Sequence, residues 1–328
     1  VKFYDAFCGI GGFRLGLQRA GHTCIGECDN SPTAKKIYAR HFGDWPEGDI
    51  RDVDGIPPCD LFCGGFPCPS FSVAGKGLGL EDPRGELFFE MCRLIKGQRP
   101  KLLLLENVKG LLSHDRGRTY AVILSALEEL GYDVQWQVLN SKYWIPQNRE
   151  RVFIIGSLRE KTRPEIFPLI EGKGILGPKN NGKQKEKQGI RSQIVSTIDA
   201  RYGALRNAGE TYLIAWSKSN RGGGKTEARV KVGEANTLVT GTGCGGTSSM
   251  NYIIEPSSRI RRLTPLECER LQGFPDNWTK GLSDSARYEH IGNAVTVGVI
   301  EEIGIRIKKY ETECGKNNKP KTGLEDRR

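Results

Sequence analysis

Three short stretches place reactive or ligand-binding groups at the ends of apolar runs. Gly64-Gly65-Phe66-Pro67-Cys68 follows the run Leu61 to Cys63, so Cys68 stands where a strand delivers it to the edge of a sheet. An ordinary thiol has a pKa of about 8.5 and is a neutral-pH nucleophile only beside positive charge or a helix N-terminus. A cysteine is also a small core hydrophobe, and the residue alone leaves both readings open. Glu106-Asn107-Val108 closes the run Leu102 to Leu105, which is too apolar for an edge strand. A carboxylate there is a cap, a salt-bridge partner or an acid-base group, because it must be paired, solvated or used. Phe7-Cys8-Gly9-Ile10-Gly11-Gly12 follows the first apolar run, and its missing side chains let a ligand approach the backbone. Glu27 ends the next run, about twenty residues on, where an acid can bind the two hydroxyls of a ribose. The glycine spacing departs from the dinucleotide pattern G-x-G-x-x-G, which argues against NAD; a tight turn that only packs helix on strand is the other reading.

The elements that must hold these groups follow from periodicity. Strands are predicted at Lys2 to Phe7, Thr23 to Glu27, Leu61 to Cys63, Leu102 to Glu106, Val134 to Leu139 and Val152 to Ser157. Helices are predicted at Gly12 to Ala20, Pro32 to His41, Glu86 to Lys96 and Thr119 to Leu130, the second opened by Asn30-Ser31-Pro32. This alternation reads as α/β, a mostly parallel, doubly wound sheet covered on both faces. After about Arg163 the order gives way to Gly, Lys, Asn, Ser and Thr with short β-like runs at Tyr212 to Trp216 and Tyr252 to Glu255, a smaller loop-rich lobe containing β structure. Thr264-Pro265-Leu266-Glu267 is a capping box that restarts helix, followed by a Gly-rich turn at Gly292 and an apolar helix to about Ile307. The expected division is a discontinuous domain of residues 1–164 plus 290–312, a second domain of 165–260, a hinge with a connecting helix at 261–289, and a polar tail at 313–328.

Composition narrows the partners. The 328 residues carry a formal charge of +10, and residues 171–231 hold thirteen Lys/Arg against five Asp/Glu. A polyanion fits that excess, as does a solvated or disordered surface around Lys179 to Lys187. Ten cysteines occur without any C-x-x-C spacing and with only four histidines, so neither a disulfide framework nor a metal site is expected. No apolar run approaches the roughly 18 residues of a membrane span, and no basic segment followed by an apolar one opens the sequence. The chain therefore reads as soluble and unexported.

Seven motifs in order give these residues a common meaning: Asp5 through Gly12, Gly48-Asp49-Ile50, Gly65 through Cys68, Glu106-Asn107-Val108, Gln147 through Arg151, Arg262 through Asp276, and Gly292-Asn293-Ala294-Val295. Together they resemble the cytosine-5 DNA methyltransferase family, particularly bacterial type II modification enzymes, apart from residues 165–260 and the tail. The resemblance implies a Rossmann-like fold that binds S-adenosylmethionine. It implies Cys68 as the nucleophile at cytosine carbon 6, Glu106 at ring N3, and Arg149 and Arg151 at the cytosine and the activated cysteine. Phe7, Gly9, Gly11, Gly12, Glu27, Cys28, Asp49, Pro67, Leu87, Asn293 and Val295 match cofactor-pocket positions, Glu27 for the ribose and Asp49 for the adenine amine. Double-stranded DNA is the implied partner, with the target base flipped out of the helix. A loop from Pro69 to Arg84 would close over that base, with Ser72, Lys76 and Arg84 on phosphates; a passive polar loop is the alternative. The basic lobe would be a target-recognition domain, with Arg229, Thr237 and Gly243 in its reading loops. A monomer is implied, in a bacterial, archaeal or phage-encoded cytoplasmic setting, with a cognate restriction endonuclease acting on the same site without a stable complex. Two departures stand out: Pro69 replaces the usual glutamine after the nucleophile, and Cys28 replaces a larger side chain against the adenine. Rival readings are the tRNA-methylating branch, which lacks a large recognition lobe, and a catalytically silent relative.

Overall fold

Strands form where apolar runs can be buried on both faces of a sheet. The computed structural model describes residues 1–67, 83–159, 164–169, 212–219, 227–232, 235–236, 249–254 and 260–317. In its first half β1 (Lys2–Ala6), α1 (Gly12–Arg19), β2 (Thr23–Cys28), α2 (Pro32–Phe42), β3 (Leu61–Gly65), α3 (Pro83–Gln98), β4 (Leu102–Val108), α4 (Arg118–Glu129) and β5 (Tyr132–Asn140) alternate. The short β6 (Gln147–Asn148) and the long β7 (Glu150–Leu158) follow. Successive strand residues point to opposite faces, which sorts the core into two layers. Tyr4, Phe62, Leu103, Leu105 and Ile154 pack with Phe88, Met91 and Ile95 of α3 and Ile123 and Leu127 of α4. Phe3, Leu61, Leu102, Leu104 and Ile155 pack on the other side with Phe13 and Leu17 of α1. Each such side chain, fully buried, contributes roughly 1.5–3 kcal/mol.

The strand order is β2-β1-β3-β4-β7-β5. The sheet is mostly parallel, as expected, with one reversal: β7 runs antiparallel to both β4 and β5. The connection from β5 to β7 is too short for the dozen or more residues of a parallel crossover, so the chain turns back. This reversal starts β7 at the carboxyl edge of the parallel strands, where ligands bind in open α/β folds. Arg151 thereby pairs with Val108 at the end of β4.

In the basic region, β8 (Tyr212–Ser219), β9 (Glu227–Val232), β11 (Ser249–Ile254) and β12 (Ile260–Arg262) form an antiparallel sheet in the order β12-β11-β8-β9. The two-residue β10 (Ala235–Asn236) instead pairs in parallel with β6.

The chain then returns to the first sheet. The capping box is present: the Thr264 hydroxyl accepts from the Glu267 amide and the Glu267 carboxylate accepts from the Thr264 amide, opening α5 (Pro265–Gln272). Two helices follow, α6 (Asp284–Asn293) and α7 (Val297–Asn317). Gly292 lies in the last turn of α6 rather than in a loop, and α7 continues past Ile307. Val299, Ile300, Ile303 and Ile307 of α7 complete the layer begun by Phe3, Phe13 and Leu17. A third cluster, Ile10, Ile37, Leu271, Phe274, Trp278 and Ile291, fastens α5 and α6 to the loop after β1.

Among the described residues, no helix is long and apolar enough to cross a membrane, and no group of three or more His, Cys, Asp or Glu could hold a metal ion. Their cysteines, Cys8, Cys24, Cys28, Cys59, Cys63, Cys92 and Cys268, are free thiols.

Candidate active site

The loop after β1 is fixed by its backbone. Phe7, Gly9 and Gly11 have φ of 56°, 54° and 88°, the left-handed region that only glycine adopts at little cost. A side chain at Gly11 would also run into the Phe42 ring, and one at Gly12 would lie 2.8 Å from Val295 Cγ1. The loop is tied down from several elements. Cys8 N donates to Cys28 O (3.0 Å), Gly9 N to Asp29 Oδ2 (2.8 Å), and the indole of Trp278 to Ile10 O (2.8 Å).

The acids of the motifs lie on β1, on β2 and on the segment after α2. Glu27 is buried at the end of β2, with Arg14 Nη1 3.6 Å and the Cys24 thiol 3.5 Å from its carboxylate. Burial raises its pKa and the Arg14 cation opposes the rise. Asp5, fully buried beneath the loop, is pushed up by burial and by Glu27, and its Oδ2 has no hydrogen-bond partner. Asp49 follows on the next segment, where Asn30 Nδ2 donates to it at 3.2 Å and Arg51 Nε and Nη2 at 2.9 and 2.8 Å. Those bonds from Arg51 hold its carboxyl far below the usual carboxylate range.

Of the other expected pocket residues, Phe7 and Leu87 are partly buried against the α3 layer, Val295 is buried, and Pro67 and Asn293 are exposed. Cys28 sits in the core with Tyr4 and Phe62, its thiol pushed up to about 11 by burial. What it offers the loop is its carbonyl, the acceptor for Cys8 N.

A second cluster lies on the neighbouring strand ends. Glu106 pairs with Gly65 in the β3–β4 register, and a Cβ at Gly65 would lie 3.1 Å from Glu106 Oε2. Arg151 Nε reaches Glu106 Oε1 at 3.1 Å. Burial raises the Glu106 pKa, opposed first by Arg151 and then by Arg149. Asn107 donates from Nδ2 to Phe66 O (3.0 Å) and accepts from Val108 N (2.9 Å). It thus fixes the carbonyl of Phe66, next in sequence to the Gly65 that pairs with Glu106 and two residues before Cys68. Such a site can move a proton and can stabilise a thiolate or a polarised carbonyl.

Arg149 is fully buried and turns toward the C-terminal segment, donating to Gly292 O (3.0 Å) and Ala294 O (2.8 Å). Sequence reasoning placed it at the base and missed this contact. It also missed Asn107, although the residue lies inside a motif it used, and Trp278, whose aromatic character gave the only hint. Cys68, Ser72, Lys76, Thr237 and Gly243 lie outside the described residues. Arg84 lies on α3 and Arg229 on β9.

Comparison with known proteins agrees with this geometry. The family model "C-5 cytosine-specific DNA methylase" matches residues 1–309. The type II methyltransferase M.DsaV of Dactylococcopsis salina is 34% identical over 317 residues, 94% of this chain and 86% of that protein. The type II methyltransferase M.HpaII of Haemophilus parainfluenzae is 37% identical over 332 residues, 93% of this chain and 88% of that protein. Among solved structures, the Entamoeba histolytica methyltransferase EhMeth superposes with a TM-score of 0.64 at 20% identity, covering 95% of this chain and 98% of that one, a likeness of fold. A loop built for close backbone approach, a carboxylate–guanidinium pair facing the end of β3 at Gly65, and a family match across nearly the whole length have one reading: the chain belongs to the C-5 cytosine-specific DNA methylase family and is a DNA (cytosine-5)-methyltransferase.

Proposed function

We propose that the protein methylates carbon 5 of one cytosine within a short fixed sequence of duplex DNA, as the modification enzyme of a type II restriction–modification system. The observation that carries this reading is the Glu106–Arg151 pair, 3.1 Å apart, at the strand end adjoining Gly65 and hence the approach to Cys68.

Carbon 5 of cytosine is too weak a nucleophile to take a methyl group unaided, so the ring must be made electron-rich first. In the proposed reaction the Cys68 thiolate forms a bond to carbon 6 while Glu106 delivers a proton to N3, and Arg151 binds the ring carbonyl. Electrons pushed toward carbon 5 make it reactive. After transfer, loss of the carbon 5 proton to a base expels the Cys68 thiolate by breaking its bond to carbon 6, and Glu106 regains the N3 proton. The raised pKa of Glu106 suits this role, since it keeps a protonated population at higher pH than an exposed glutamate would.

S-adenosylmethionine, when bound, supplies the electrophilic methyl group. The residues at the loop suit it: the cradle at Gly9 to Gly12 would admit a ligand against bare backbone, and Glu27 and Asp49 would accept from its hydroxyls and its amine. Asp5 Oδ2, buried without a partner beneath the loop, is a polar atom that a bound ligand could satisfy. Pro67, Leu87, Asn293 and Val295 would complete the pocket, as proposed from the motifs. Residues 165–260 would read the bases, with Arg229, Thr237 and Gly243 among the readers and Ser72, Lys76 and Arg84 on the backbone.

Methyl transfer from labelled cofactor to duplex DNA, to tRNA, and to duplex DNA by Cys68→Ser tests the reading. Label in DNA from the native enzyme alone is expected. Label only in tRNA, or undiminished transfer by Cys68→Ser, would overturn it.

A further inference from the structure

Carbonyls at the end of a helix need donors, and the end of α6 obtains them from distant parts of the chain. Ala294 N donates to His290 O (3.1 Å), Gln272 Nε2 to Ile291 O (3.1 Å), and the two arms of Arg149 to Gly292 O and Ala294 O at 3.0 and 2.8 Å. The turn beyond is held by Thr296, whose hydroxyl lies 2.8 Å from Ser141 Oγ and 3.0 Å from Gln272 Oε1. Ser141 N in turn donates to Arg149 O (2.9 Å), and Asn140 Oδ1 accepts from Arg149 N (3.2 Å), so the backbone of Arg149 is as firmly placed as its side chain. The two carbonyls it grips flank Asn293, and the segment leads to Val295, the residue packed on Gly12 of the cofactor loop.

We propose that Arg149 is a positioning residue for the cofactor side of the site: its guanidinium caps the C-terminus of α6 and sets the turn that carries Asn293 and Val295 against the Gly9–Gly12 loop. The inference rests on the proposed cofactor site. Its physical basis is that a buried cation needs negative partners. The negative end of a ten-residue helix supplies one, and the Glu106 carboxylate favours the same charge. Arg149 therefore ties the half-site that binds the methyl donor to the half-site that holds the base. Lysine reproduces this poorly, because its donors share one nitrogen and lack the planar fork whose two separated arms reach both carbonyls. The strand that precedes it, β6, pairs with β10 of the basic region, so the same junction is anchored from the lobe proposed to read DNA.

The test uses the full chain, with S-adenosylhomocysteine as the calorimetric probe in the absence of DNA, amide exchange across residues 290–297 as a second readout, and duplex binding in a separate titration as the control. Arg149→Lys is expected to weaken binding of the probe by about tenfold and to speed exchange at 292–296, while duplex affinity stays within about twofold of native. Ser141→Ala loosens the same turn without touching the buried cation, and is expected to act in the same direction by about threefold; it decides the matter if Arg149→Lys does not fold. Native probe affinity and native exchange in a folded Arg149→Lys, whatever its turnover, would overturn the proposal, as would an unaltered Ser141→Ala if Arg149→Lys fails to fold. Failure of the native protein itself to bind the probe would instead strike the cofactor reading on which the inference stands.

Discussion

At the scale of single residues the proposed chemistry turns on how burial and neighbouring cations set one carboxyl group. Burial raises Glu106, while Arg151 and then Arg149 favour its charged form. Because only the protonated acid can serve N3, the single-turnover rate should decline as pH rises through the folded pKa of Glu106, which lies above the ordinary 4.5. Arg151→Ala removes the larger opposing influence, so this decline should move to higher pH as well as the rate falling. Glu106→Gln should lower the rate by roughly 10²–10⁴-fold and abolish the decline. A decline that keeps its position in Arg151→Ala would show that another group is titrating. Asn107 acts by geometry rather than charge. It is 2% exposed, and Asn107→Leu would strand Phe66 O and Val108 N. Urea unfolding should report a loss of about 1–3 kcal/mol. Glu106 was legible in the sequence because a carboxylate at the end of four leucines demands an explanation. The clamp made by Arg149 was not, since its partners lie 143 and 145 residues away.

Among elements, the decisive features are the reversal of β7 and the packing of α7 on α1. Short apolar runs and the amphipathic stretches between them located the first six long strands and the four helices, because those signals are local. Strand direction is not local. Nothing in Val152 to Ser157 marks it as antiparallel, and only the short connection before it gives the reason. The strands β9, β10 and β12 were likewise missed: β10 and β12 are only two and three residues long, and the alternation of Ala228, Val230 and Val232 with charged residues in β9 was overlooked inside a strongly polar region. The α1–α7 contact depends on small residues. A Cβ at Gly16 would lie 2.7 Å from Ile300 Cβ and 2.9 Å from Val297 O, and the carbonyl cannot swing aside as a side chain would. Gly16→Ala should therefore force the helices apart and cost about 1–3 kcal/mol, read as a lower thermal midpoint; an unchanged midpoint would refute the packing described.

For the molecule as a whole, charge and covalent chemistry meet on the same substrate. A formal charge of +10, concentrated between residues 171 and 231, should make duplex affinity strongly salt-dependent. If six to ten phosphates are engaged, affinity should fall by about 10³–10⁵-fold between 50 and 200 mM salt, and a flat response would deny the basic lobe its role. The proposed division of the chain rests on the change in composition near Arg163 and on the return of helical signals at Thr264. Recognised bases were not readable, because specificity depends on where loops present side chains in a groove. The most direct test of the account places 5-fluorocytosine at the target position, after bisulfite sequencing of host DNA has located it. Fluorine cannot leave as a cation, so the ring should stay bonded to the protein in a denaturant-resistant complex, with peptide mapping finding the adduct on Cys68. Methylation of the ordinary duplex with no trapped complex, or an adduct on any other residue, would contradict the mechanism.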